Sequence, residues 1–102
     1  MRIGGEVLSR MLTGKTLLYG EATTAGPYRV RLNADGTAAF LRGCELTQVD
    51  TGTWSIRDDK YCRDWKTIEP RQMCMAAAVS GSNLQLFDPM GLMLIEARVI
   101  DE

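Results

Sequence analysis

Turn-forming residues recur along this chain at short intervals, and this spacing limits what the chain can fold into. The clearest turn signals are the segments 33–36 (NADG), 58–59 (DD), 80–83 (SGSN) and 88–91 (DPMG). Short segments bounded by such turns are typical of β-strands. With residues 16–22 at the start of the sheet, they predict about eight strands, around 16–22, 28–33, 37–41, 46–57, 60–68, 72–79, 84–87 and 92–100.

One short helix is expected before the strands begin. In the segment 6–12, four apolar residues, Val7, Leu8, Met11 and Leu12, fall at helical spacing. Gly14 follows, where a helix often ends on a residue in the left-handed conformation. After the helix, apolar residues alternate with polar ones, as at 28–33, and this period of two predicts β-strands.

The strand pattern predicts a mainly β protein with antiparallel neighbours. A meander of this kind must close or stack to bury its apolar face. We therefore expect a small barrel or curled sheet of about eight strands, with the N-terminal helix over one open end. No repeat or linker divides the 102 residues, so residues 1–102 form a single domain.

Charge and hydropathy exclude some classes of partner. Twelve basic and thirteen acidic residues give a net charge of −1, which offers nothing to attract nucleic acid. The apolar runs 73–79 and 92–95 are far shorter than the roughly 20 residues of a membrane span. Both runs are apolar on both strand faces, so the helix, a ligand or a second copy in a homodimer should cover them.

The residue types argue against catalysis. The chain has no histidine, which removes the commonest general base and a frequent metal ligand. Its three cysteines contain no C-x-x-C pair. We predict no catalytic residues, no metal site and no cofactor.

Two of the cysteines lie in neighbouring strands of the expected sheet. A hairpin between Cys62 and Cys74 would bring their sulfurs side by side, and a bridge there would stabilise the fold by about 3 kcal/mol. The alternative is that both are reduced, buried core residues. Cys44 remains single in either case.

Large aromatic residues are candidates for either the core or a ligand site. Trp54 shares a strand face with Ile56, and Trp65 follows Cys62 by three residues. Anchoring the core is their simpler role. If the barrel holds a ligand, the candidate binding residues are Tyr28, Phe40, Trp54 and Trp65.

A series of short motifs resembles a family of small exported proteobacterial domains of uncharacterised function. The motifs are LTGKT (12–16), PY (27–28), DGT (35–37), DTGTW (50–54), CRDW (62–65), Cys74 and LFDPMG (86–91). The resemblance implies a lipocalin-like (calycin-like) β-barrel, a periplasmic or secreted location and a bridge between Cys62 and Cys74. Cys44 lies outside the pattern. No apolar leader follows Arg2, so the chain is either a mature form without its leader or a cytoplasmic protein.

Three functions follow from these features. The first is a non-catalytic envelope protein that binds a small apolar ligand or another protein. The second is a periplasmic inhibitor or interaction protein that uses a disulfide-braced loop at 58–63. The third is an enzyme that uses carboxylates inside a lipocalin-like barrel, with Glu21, Asp50 and Glu96 as candidates.

Overall fold

A computed structural model describes residues 2–21 and 26–101 of the chain. Ala22, the last residue of the first predicted strand, lies outside these residues. The elements in chain order are α1 (Gly5–Leu12), β1 (Lys15–Tyr19), β2 (Tyr28–Leu32), β3 (Thr37–Arg42), β4 (Thr47–Arg57), β5 (Lys60–Trp65), β6 (Gln72–Ser80), β7 (Asn83–Phe87) and β8 (Met93–Ile100).

The eight strands form a closed barrel in which sequence neighbours pair antiparallel and β8 returns to pair with β1. The predicted fold class is confirmed: a mainly β meander barrel with one short helix. Closure leaves no sheet edge along the paired lengths of the strands. Among the described residues, no helix has the length and apolarity that a bilayer crossing needs.

The segments predicted as turns lie between consecutive strands of the barrel. In the β2–β3 turn, Asp35 Oδ1 accepts the Thr37 N–H, and Gly36 has a φ of +91°, which glycine adopts without strain. Between β4 and β5, Asp58 and Asp59 both have positive φ, as a two-residue hairpin turn requires. Local turn chemistry therefore fixes the order of the barrel.

Helix α1 closes one end of the barrel. Its apolar face places Leu8 and Leu12 in the core, where both are fully buried. The helix packs against β1, β4 and β5, and the Gly5 N–H donates to Asp59 Oδ1 at 2.6 Å. We call the opposite end, with the turn 43–46, the loop 66–71 and the turn 88–92, the open end.

In the run 92–95, Ile95 packs against the core, whereas the other three residues stay exposed in the described part of the chain. Leu92, Met93 and Leu94 are 66%, 46% and 43% exposed. Of the three covers considered for this run, the helix is not the one observed, because α1 packs mainly against β4, β5 and β1 at the end of the barrel. By contrast with the run 92–95, the run 73–79 is partly covered by the protein itself, because Met75, Ala77 and Ala78 are buried.

Candidate functional site

The barrel interior contains a cavity of about 150 Å³ on the side of the open end. Residues of seven strands and of the loop 66–71 line it. They are Leu17, Tyr19, Val30, Phe40, Tyr61, Arg63, Trp65, Ile68, Met75, Leu86 and Ile95.

Strand alternation decides which side chains face this cavity. Along β5, Tyr61, Arg63 and Trp65 share the inner face, whereas Lys60, Cys62 and Asp64 lie on the outer face. The same period of two places apolar residues of β1, β2, β6, β7 and β8 inside. The cavity wall is therefore apolar except where β1 and β5 supply polar groups.

A row of aromatic rings crosses the wall from β1 to β5. Ring centroids are 5.3 Å apart for Tyr19 and Tyr28, 5.6 Å for Tyr28 and Phe40, and 5.8 Å for Phe40 and Trp65, the last pair edge to face. These spacings are those of favourable aromatic pairs. The row forms a continuous packed group along one side of the site.

Glycine at position 52 of β4 lets β5 approach closely beside this row. Gly52 lies opposite Trp65 in the ladder, and a Cβ at Gly52 would fall 2.0 Å from the Asp64 carbonyl oxygen. No side chain fits there. The position of Trp65 in the wall therefore depends on a glycine in the neighbouring strand.

The structure separates the four predicted ligand-binding residues. Phe40 and Trp65 line the cavity, and Tyr28 contacts Phe40 in the aromatic row. Trp54 is not a lining residue; it lies beside the β2–β3 turn, where its indole N–H donates to the Asn33 carbonyl oxygen at 2.8 Å. Its side chain therefore holds the turn.

Sequence analysis missed the polar part of the site, which is formed by Tyr19, Tyr61 and Arg63. Burial raises the pKa of Tyr19 to about 12 and raises that of Tyr61 further, although the positive charge of Arg63 opposes both shifts. Burial also lowers the pKa of the Arg63 guanidinium. One signal was present in the sequence: Arg63 alternates with Tyr61 and Trp65 and so places a cation on the apolar strand face.

The loop 66–71 is fixed above the cavity by two charged side chains. The Asp50 carboxylate accepts backbone N–H groups from Thr51, Thr67 and Ile68, each at 2.8 Å. Burial alone would raise the pKa of Asp50, but these donors outweigh it and lower the pKa to about 2. From β5, Arg63 Nη1 donates to the carbonyl oxygens of residues 70 and 71 at 2.6 and 3.1 Å.

The three carboxylates considered for catalysis have structural partners. Asp50 holds the loop 66–71, as described above. Glu21 forms an exposed ion pair with Arg98 at 2.9 Å, and Glu96 accepts a hydrogen bond from Asn83. None of the three lines the cavity. In the described part of the chain, no group of three acidic or cysteine residues could hold a metal ion.

The segment 58–63 is not a loop. Only Asp58 and Asp59 form the turn, and β5 begins at Lys60. The expectation of a braced loop is wrong because the bridge joins two strands and not the two sides of the turn. Asp59 is already engaged by the helix N-terminus.

The predicted disulfide joins Cys62 of β5 to Cys74 of β6, which are direct partners in the ladder with Cα atoms 3.9 Å apart. Strand alternation places the bridge on the outer face of the barrel. Cys44 is free and exposed in the turn 43–46. The bridge therefore stiffens the β5–β6 pair, whose inner face carries Arg63 and Trp65.

Comparison with protein-family models, with curated proteins and with solved structures gives no match for this chain. The function is therefore inferred from the geometry of the site.

Proposed function

We propose that this protein is a non-catalytic binding module of the bacterial envelope whose barrel interior holds a small apolar molecule. The observation that carries the proposal is the cavity of about 150 Å³ with its largely apolar wall. An apolar protein cavity of about this size can bind benzene. The ligand's apolar part is therefore about the size of one six-membered ring, well below that of a long lipid.

Two observations support a location in the periplasm or outside the cell. The bridge between Cys62 and Cys74 is of a kind that persists in oxidising compartments. The motifs that include CRDW at 62–65 resemble those of exported proteobacterial domains. Mass spectrometry of unreduced protein from periplasmic and cytoplasmic fractions tests this: a bridged species confined to the cytoplasmic fraction contradicts the proposed location.

Binding inside the barrel is tested with toluene as the probe and a cavity-filling variant. We expect toluene to raise the melting temperature of the wild type and to change the fluorescence of Trp65, a wall residue. Val30→Phe, at a buried position that lines the cavity, should remove both effects. Val49→Phe is the matched control, because Val49 is 39% exposed and lies outside the lining. A wild type that does not respond to toluene contradicts the proposal.

A second candidate function is protein interaction, in the form of a homodimer. The observation in its favour is the exposed apolar group Met90, Leu92, Met93 and Leu94 in the β7–β8 turn and the start of β8. Sedimentation of the wild type against Leu94→Lys tests it, with Val7→Lys as the control at another exposed apolar position. A wild type that is monomeric at all concentrations contradicts this candidate.

A further inference from the structure

One cation and two hydroxyl groups lie together in an otherwise apolar cavity. Arg63 and Tyr61 come from the inner face of β5, and Tyr19 comes from the end of β1. Tyr61 is only 2% exposed, and burial raises the pKa of its hydroxyl, so the group is a neutral O–H donor. Burial separates a hydroxyl from water, so a ligand that accepts a hydrogen bond from it would stabilise the site.

The charge of Arg63 has no anionic partner in the described part of the chain. Ion pairs there join Lys15 to Asp101, Arg71 to Glu69 and Arg98 to Glu21. Arg63 instead donates from Nη1 to two backbone carbonyl oxygens, which carry no net charge. A partly buried cation without a counter-charge attracts an anion strongly, because little water screens it.

We propose that the ligand is a small monocarboxylate with an apolar body, bound with its carboxylate at Arg63 and its body in the cavity. This inference rests on the proposed function and names its ligand class. A planar guanidinium matches the two oxygens of a carboxylate, and the hydroxyls of Tyr19 and Tyr61 add neutral donors. The apolar body contacts wall residues such as Leu17, Val30 and Leu86.

The charge of the ligand is tested with benzoate and benzamide as the two probes. These molecules have nearly the same shape and differ in charge, so the ratio of their dissociation constants isolates the contribution of the carboxylate. We expect wild-type protein to bind benzoate about tenfold or more tightly than benzamide in calorimetric titrations, the range for hydrogen bonds to a charged group.

Three variants assign that preference to residues. Arg63→Met should abolish the preference for benzoate while benzamide still binds. Arg71→Met is the matched control, because Arg71 is in the loop 66–71 but its exposed side chain pairs with Glu69 and does not line the cavity. Tyr61→Phe should weaken benzoate binding by about tenfold and benzamide binding by less, because a neutral carbonyl oxygen accepts a weaker hydrogen bond than a carboxylate. If Arg63→Met does not fold, the Tyr61→Phe variant still tests whether the carboxylate binds at this site.

The outcomes separate this inference from the proposed function. If benzoate and benzamide bind the wild type equally, the barrel binds small apolar molecules but the carboxylate inference is wrong. If neither probe binds and toluene also has no effect, the proposed function itself fails. A preference for benzoate that survives both Arg63→Met and Tyr61→Phe would place the anion elsewhere and overturn the inference.

Discussion

Breaking the Cys62–Cys74 bridge should lower stability by an amount that follows from the loop it closes. The two residues are 12 positions apart in sequence. In the chain-entropy model, a loop of that length gives about 3 kcal/mol at 25 °C. For a domain of this size, each kcal/mol moves the melting temperature by about 4–8 °C, so the expected fall is about 12–24 °C.

The assay compares thermal melts of oxidised wild type, reduced wild type and the double variant Cys62→Ala/Cys74→Ala. Reduction removes the cross-link without changing any side-chain volume, whereas the double variant also removes atoms at Cys62, which is buried. The double variant should therefore melt at or slightly below the reduced protein. Cys44→Ala, which changes an exposed free thiol, should melt with the wild type. A reduced protein that melts within about 2 °C of the oxidised form would refute the reasoning.

Three further perturbations test the packing around the site. Gly52→Ala should destabilise the barrel by about 3 kcal/mol in urea titrations, because its Cβ would fall 2.0 Å from the Asp64 carbonyl oxygen; a wild-type midpoint would contradict the close approach. The pKa of Asp50 in the folded protein, about 2, lies below the unfolded value of about 3.9, so its stabilisation is present above about pH 4 and is lost as the pH falls toward about pH 2. Asp50→Asn should therefore show a smaller fall in melting temperature over that range, and parallel curves would exclude this role. Leu8→Ala should cost about 2–5 kcal/mol in urea titrations because Leu8 is fully buried, whereas Val7→Ala at the exposed neighbour should change little; equal effects would contradict the closure of the barrel by α1.

Much of the fold could be predicted because its determinants are local. The turn residues at 33–36 and 58–59 and the alternation of Tyr28 and Val30 with arginines act over a few residues, so each hairpin is encoded within its own segment. The length of β5 was overestimated: it ends at Trp65, because residues 67 and 68 donate their N–H groups to Asp50 instead of to a strand.

The candidate site was predicted only in part. Phe40 and Trp65 were expected from residue type, and they line the cavity. Trp54 has the same chemistry, yet a hydrogen bond to Asn33 places it at the β2–β3 turn. Residue type alone does not distinguish these positions, because the distinction depends on how far along the barrel axis each side chain lies.

By itself, the sequence predicted about eight strands, their antiparallel meander order and the short helix, since alternation and turn chemistry are properties of neighbouring residues. It also favoured the bridge between Cys62 and Cys74, which the structure contains. Only the tertiary structure decided that Arg63 lies in the cavity with Tyr19 and Tyr61. Tyr19 and Arg63 line the same cavity only because the barrel closes. Strands β1 and β5 are far apart in sequence, so no local sequence pattern predicts that their side chains share the interior. The exposure of Leu92 and Leu94 was likewise decided by where the helix packs.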